Sequence, residues 1–218
     1  MKQFAVIGLG NFGFHAAREL YEHGNEVVAI DVDSTRVQAV DAYATKAIRV
    51  DATDMDALQA LGLRSMDAVI VSTGFKISIS ILICLHLQEI GIKKIIAKAV
   101  DDDHAKILTR VGATQIVHPE RDIAQRVARG LSQPNVIDYI PLAADYELVQ
   151  IEPPPQFLGR SLKELQLRTE YNVHVIGLKN TGTDDFRLVP QADSRIETGQ
   201  VLLIIGREKD IARIKSAE

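Results

Sequence analysis

The residues best suited to chemistry stand near the start of the chain, in Gly8-Leu9-Gly10-Asn11-Phe12-Gly13. This is a G-x-G-x-x-G pattern, which cradles nucleotide phosphates when a strand runs into it and a helix runs out. Gly8 permits the tight turn, Gly10 lets backbone approach a phosphate, and Gly13 lets helix and sheet pack closely. The free N–H groups at the helix start, around Asn11 and Phe12, then face the anion together with the positive end of the helix dipole. Asp31 closes the next apolar run, where a carboxylate can take ribose hydroxyls and would repel a 2′-phosphate. Val32 and Asp33 continue that rim, and Asp33 either shares the ribose or caps the following helix. Asp51-Ala52-Thr53 ends the third apolar run, on the adenine side, where Thr53 and Asp54 can equally be helix caps. Ser72-Thr73-Gly74 ends the fourth, beside the glycine loop, where ligands bind in open α/β sheets. The alternative is a glycine turn selected only for packing.

No catalytic constellation accompanies these residues. A dehydrogenase needs a proton donor and a substrate anchor facing the nicotinamide. The C-terminal part of the chain is small for that task, and its His174 falls in an apolar run. His15, His23, His86 and His104 are scattered over helical segments as surface or packing residues. No Ser/His/Asp set, Walker lysine motif or metal-ligand His pair is present. A small NAD-dependent oxidoreductase is therefore the rival reading, and a non-enzymatic nucleotide sensor the favoured one.

Such a site needs strands and helices to hold it, and the chain supplies both. Runs at 3–7, 26–31, 47–50, 68–72, 94–99 and 115–117 read as strands. Helix-length segments at 11–23, 34–43, 54–61, 76–90, 102–111 and 121–131 lie between and after them. Gly24, Gly62, Gly91, Gly112 and Gly130 read as helix stops. Alternating strands and helices predict an α/β fold, a doubly wound parallel-sheet Rossmann domain over residues 1–133. Ser132-Gln133-Pro134-Asn135 breaks this rhythm. Residues 134–218 read as a linker and a small α+β domain, with strands at 146–151, 173–178 and 201–205. A capped short helix is expected at 161–165 and a closing helix at 208–215. A domain that small buries little surface, so it is expected to dimerise or lean on the first.

Composition narrows the function classes. The 218 residues are 46% hydrophobic and 25% charged, with a net charge of -4, which supplies no basic excess for a long nucleic-acid surface and leaves room only for a local basic patch. Cys84 is the single cysteine, so there is no internal disulfide or cysteine zinc site. No signal peptide is visible, and the apolar run 77–87 is shorter than the ~20 residues a bilayer requires. The chain is expected to be cytoplasmic, with no direct membrane insertion. The 76–90 helix is apolar around nearly its whole circumference, so its outer faces need a second subunit or the second domain.

In combination these segments resemble the RCK (regulator of potassium conductance) family of Trk/Ktr potassium-uptake systems over the full length. The resemblance is carried by Phe4–Gly13, Val28-Ala29-Ile30-Asp31, Ala97-Lys98-Ala99 and Ile116-Val117-His118-Pro119-Glu120-Arg121-Asp122. In the C-terminal part it is carried by Gly159-Arg160-Ser161-Leu162, Leu165-Gln166-Leu167-Arg168 and the run from Gly199 to Gly206. It implies a cytoplasmic regulatory subunit that dimerises, builds a ring expected to be octameric, and gates a membrane potassium channel or transporter. It also implies an adenine nucleotide, AMP, ADP, ATP or NAD(H), held by Gly8, Gly10, Gly13, Asp31, Asp51, Thr53, Thr73 and Lys98. Glu120 matches an acidic residue that helps hold a cation near the phosphates, and a carboxylate placed by a helix dipole is the equal alternative. Many Ktr relatives carry arginine where this chain has Asn11, and its loss favours AMP, ADP or NAD(H) over ATP. Leu162, Arg168 and Pro190 match a cyclic di-AMP site of some relatives, where His174 replaces the family's asparagine.

Overall fold

The computed structural model describes residues 1–74, 76–132, 136–143, 145–182 and 186–215. The break expected at Gln133-Pro134-Asn135 lies outside these residues. Two compact units are present, Met1–Arg121 and Asp122–Glu218.

In the first unit β1 (Gln3–Ile7) leads into α1 (Asn11–Glu22), then β2 (Glu26–Asp31), α2 (Ser34–Val40), β3 (Lys46–Arg49) and α3 (Met55–Ala60). β4 (Ala68–Val71), α4 (Ile77–Ile90), β5 (Ile95–Lys98), α5 (Asp102–Arg110) and β6 (Gln115–Val117) complete it. The strands form a parallel sheet in the order β3-β2-β1-β4-β5-β6. The order reverses between β1 and β4, as expected of a doubly wound fold. Register aligns Ile7 with both Ile30 and Val71, and Asp31 with Arg49, so the strands end together along one edge.

Alternation along β1 explains the layers. Ala5 and Ile7 join Val69, Val71, Ala97 and the α4 residues Ile83, Cys84 and Leu87 in one core. Val6 points the other way, to Val27, Ala29, Ala17 of α1 and Val40 of α2. Burial on both faces is why these strands read as unbroken apolar runs. Burial also pushes the Cys84 thiol up to about 12, so it stays protonated and unreactive. α4 buries Ser80, Ile83, Cys84 and Leu87 but leaves Ile77 and Leu82 exposed in the single chain.

α6 (Pro119–Ser132) runs across the division between the units and continues through Gly130, which is no helix stop. In the second unit β7 (Val136–Ala143) and β8 (Tyr146–Ile151) precede the short α7 (Leu162–Leu165) and α8 (Leu167–Glu170). β9 (His174–Asn180), β10 (Phe186–Leu188), β11 (Gln200–Arg207) and α9 (Glu208–Lys215) follow. The sheet is antiparallel, ordered β10-β9-β11-β8-β7. The expected capping box is present: Ser161 accepts from the Glu164 amide while Glu164 accepts from the Ser161 amide. Ile211 and Ile214 of α9 close a core with Val149, Ile151, Leu202 and Ile204. His174 is exposed at the start of β9 rather than enclosed in an apolar strand.

Candidate nucleotide site

The glycine loop is pinned at its entry to the strands on either side of β1. The Gly8 amide donates to the Ile30 carbonyl (2.8 Å), and the Ser72 amide donates to the Ile7 carbonyl (2.7 Å). The three glycines then divide by role. Gly8 has φ +91°, and a Cβ there would lie 2.3 Å from the Ser72 carbonyl oxygen. A Cβ on Gly13 would lie 1.8 Å from the Gly8 carbonyl oxygen, so α1 packs on its own entry loop. Both glycines are demanded by the protein's own packing. Gly10 is different: its backbone is extended (φ -67°, ψ -173°), and an added Cβ would meet nothing within 4 Å. Nothing in the folded chain requires glycine at that position, while a ligand approaching the backbone would.

The start of α1 is left open to an anion. Gly10 supplies no side-chain cap, and the first turn carries no acidic residue. The first closing bond runs from the Phe14 amide to the Gly10 carbonyl (2.8 Å), so the amides of Asn11, Phe12 and Gly13 precede the helix ladder. Asp31 is buried beside them. Its Oδ2 accepts from the Leu9 amide (2.6 Å) and its Oδ1 from the Asp33 amide (2.9 Å). One carboxylate thus fixes the glycine loop and the next turn together, a structural duty beyond the expected ribose contact. Each oxygen retains a lone pair for a hydroxyl donor. Arg36 stands 3.6 Å from the same carboxylate and is half-exposed.

The neighbouring strand ends complete the rim. Asp33 accepts from the Thr35 amide (2.8 Å) and caps α2, and Val32 is exposed between Asp31 and Asp33. Asp51 accepts from both the amide (2.9 Å) and the hydroxyl (2.6 Å) of Thr53, with Ala52 buried between them. These two bonds hold the Asp51 carboxyl below the usual carboxylate range. Asp54, not Thr53, caps α3. Thr73 Oγ1 is buried without a hydrogen-bond partner among the described residues, next to the exposed Gly74.

At the far side of the rim, Lys98 at the end of β5 is ion-paired with Glu120 in the first turn of α6. The lysine keeps Glu120 below the usual carboxylate range. Arg121 bonds Asp102 (2.6 Å), tying the same turn to the start of α5. Among the described residues no group of three or more His, Cys, Asp or Glu side chains converges to hold a metal. Of the two roles expected for His104, surface or packing, it takes the second: it is buried, and both ring nitrogens are engaged, by Ser80 and the Val100 amide. A polar residue inside an otherwise amphipathic helix gives no direct signal of such a contact.

Residues 4–119 match the TrkA-N domain family and residues 146–217 the TrkA-C domain family. The chain belongs to the RCK family of the Ktr/Trk type. It is 39% identical over 214 residues to the Ktr system potassium uptake protein C of Bacillus subtilis (strain 168), covering 98% of this chain and 96% of that protein. Among solved structures, the GsuK channel superposes with a TM-score of 0.70 at 17% identity, over 99% of this chain and 39% of that one. A GsuK channel bound to NAD superposes with a TM-score of 0.55 at 18% identity, over 100% and 39%. This RCK chain spans about two fifths of the length of those channel chains, and the likeness to them is one of fold. Kinship with potassium-uptake proteins, rather than any missing residue, sets the RCK chain apart from the oxidoreductase reading. No helix among the described residues is long and apolar enough to cross a membrane.

Proposed function

We propose that this RCK chain is a cytoplasmic regulatory subunit that binds an adenine nucleotide at the Gly8–Gly13 rim and thereby gates a potassium channel or transporter. The observation that carries the reading is Gly10: an uncapped helix terminus with open space above a glycine that the fold itself does not need. Gly10, Asn11, Phe12 and Gly13 face the phosphates with Thr73, Gly74 and Lys98. Asp31, Val32 and Asp33 take the ribose, and Asp51, Ala52 and Thr53 border the adenine. Asn11 carries no charge, so AMP, ADP or NAD(H) is preferred over ATP. Glu120 provides one carboxylate for a cation whose remaining ligands come from phosphate oxygens.

Self-association follows from exposed apolar surface. Ile77 and Leu82 of α4 and Ile107 of α5 are exposed, and α6 presents Ile123, Val127 and Leu131 at helical spacing. A dimer covers these faces, and dimers assemble into a ring, octameric in this reading, beneath the pore at the inner face of the membrane. The ring shifts only if nucleotide binds its two shapes unequally. The hinge is α6, the segment that crosses from one unit to the other. In the C-terminal unit Leu162, Arg168 and Pro190 match the cyclic di-AMP site of some relatives, and His174 stands where that site has asparagine.

Gly10→Ala tests the nucleotide assignment. The free protein has room for the methyl group, so stability changes by only about 1 kcal/mol, the scale of an N-cap replacement. Binding of AMP and NADH, followed by isothermal titration calorimetry, is expected to weaken by about tenfold or more, about 1.4 kcal/mol or more. Unchanged affinity for both ligands places the nucleotide elsewhere.

A further inference from the structure

His104 is the third residue of α5, and its ring is buried against the first turn of α4. Nδ1 accepts from the Val100 amide (3.3 Å), which assigns the ring proton to Nε2. Nε2 then donates to Ser80 Oγ (2.9 Å), and that hydroxyl donates to the Ile77 carbonyl (2.9 Å). The His104 amide meanwhile donates to Asp101 Oδ1 (2.7 Å), the cap of α5. One neutral imidazole therefore joins the segment after β5, two residues beyond Lys98, to the helix that follows Thr73 and Gly74. Those are two of the loops that line the nucleotide rim.

The chain of bonds works in one protonation state only. A second ring proton at Nδ1 would face the Val100 N–H, donor against donor, in a buried place. The groups acting on the ring are Asp101 at the cap of α5, which favours the proton, and His118 after β6, which disfavours it. From α4 the ring meets the Ser80 hydroxyl, backed by the Ile77 carbonyl. Burial is the largest influence and holds the imidazole below its ordinary value, so the neutral form persists at neutral pH.

We propose that His104 is a positioning residue for the nucleotide rim, holding the β4 and β5 loops together in its neutral form and releasing them when protonated. The inference rests on the nucleotide reading above, because it acts through the placement of Lys98 and Thr73. It predicts a proton-dependent affinity: nucleotide is held above the ordinary histidine value and released progressively below it.

Two measurements on the full chain test this. Amide hydrogen exchange at Val100 is read as a protection factor at pH 7.5 and 5.5, about one unit either side of the ordinary histidine value. The expected loss at the lower pH is at most about tenfold, the limit reached when the closed site keeps the ring fully neutral at that pH. In parallel, AMP affinity is compared at both pH values in the wild type and His104→Gln, whose amide does not titrate. AMP's own phosphate titration is common to both proteins and cancels. A steeper fall in the wild type than in His104→Gln supports the role. Constant Val100 protection, or identical pH profiles with AMP bound at pH 7.5, overturns it and leaves the nucleotide reading standing. No AMP bound by the wild type at pH 7.5 defeats the nucleotide reading, and the positioning role with it.

Discussion

The two flanks of the nucleotide rim are built from different materials. At β1 and β2 the rim is backbone: glycines in contact with carbonyls, and one buried carboxylate holding two amides. At β5 and β6 it is side chains: Lys98 on Glu120, Arg121 on Asp102, and His104 on Ser80. The backbone flank has one workable geometry, since any Cβ at Gly8 or Gly13 collides with main chain. The side-chain flank rests on ion pairs whose carboxylates are exposed and on the buried His104–Ser80 bond, and it borders α6, which leads out of the first unit. A rigid flank beside one held by side chains suits the ligand-driven switch proposed above, since a ligand shifts an equilibrium only by binding its two states unequally.

Substitutions that attack this contrast should differ in size. Gly13→Ala is expected to be the most damaging, costing about 3 kcal/mol because its methyl group meets the Gly8 carbonyl, measurable by urea denaturation. Asp31→Ala follows, since two amides lose their acceptor in a buried place. A loss of about 1–3 kcal/mol together with lost nucleotide binding is expected, and a fully stable variant would contradict the structural duty assigned to this carboxylate. Lys98→Ala on the other flank should cost about 1 kcal/mol, because Lys98 is mostly covered while its partner Glu120 is exposed, and should weaken AMP binding in a salt-sensitive manner. If Lys98→Ala destabilises as strongly as Gly13→Ala, the division between flanks fails.

The smallest effect is that of acid on the carboxylates. Asp51 and Glu120 are both held below their ordinary values by their partners. A depressed carboxylate contributes stability above its unfolded value and loses it as pH falls through the folded one. Thermal unfolding should therefore show a shallow decline only below about pH 4, the ordinary carboxylate range. That is separate from the change His104 causes below the ordinary histidine value.

The same contrast decided what the sequence made legible. The glycine loop and Asp31 follow local rules of strand, turn and helix, and β1, β2 and β6 fall at the expected residues. Lys98 and Glu120 came from family resemblance, and their pairing across 22 positions has no local signature. The His104–Ser80 bond, spanning 24 positions, was invisible for the same reason. In the second unit, β7 went unread because Pro141 interrupts its pattern, and β10 because Phe186–Leu188 is too short to show a period. β8 and α9, with clear alternation and helical spacing, were legible to the residue.

Native mass spectrometry of the full chain, alone and with AMP, ADP, ATP or NADH added separately, reads the ring and its ligand at once. An assembly of several dimers is expected, retaining about one nucleotide per chain, with AMP, ADP or NADH held in preference to ATP. A monomer or lone dimer that retains none of the four would contradict both the nucleotide site and the ring it is proposed to drive.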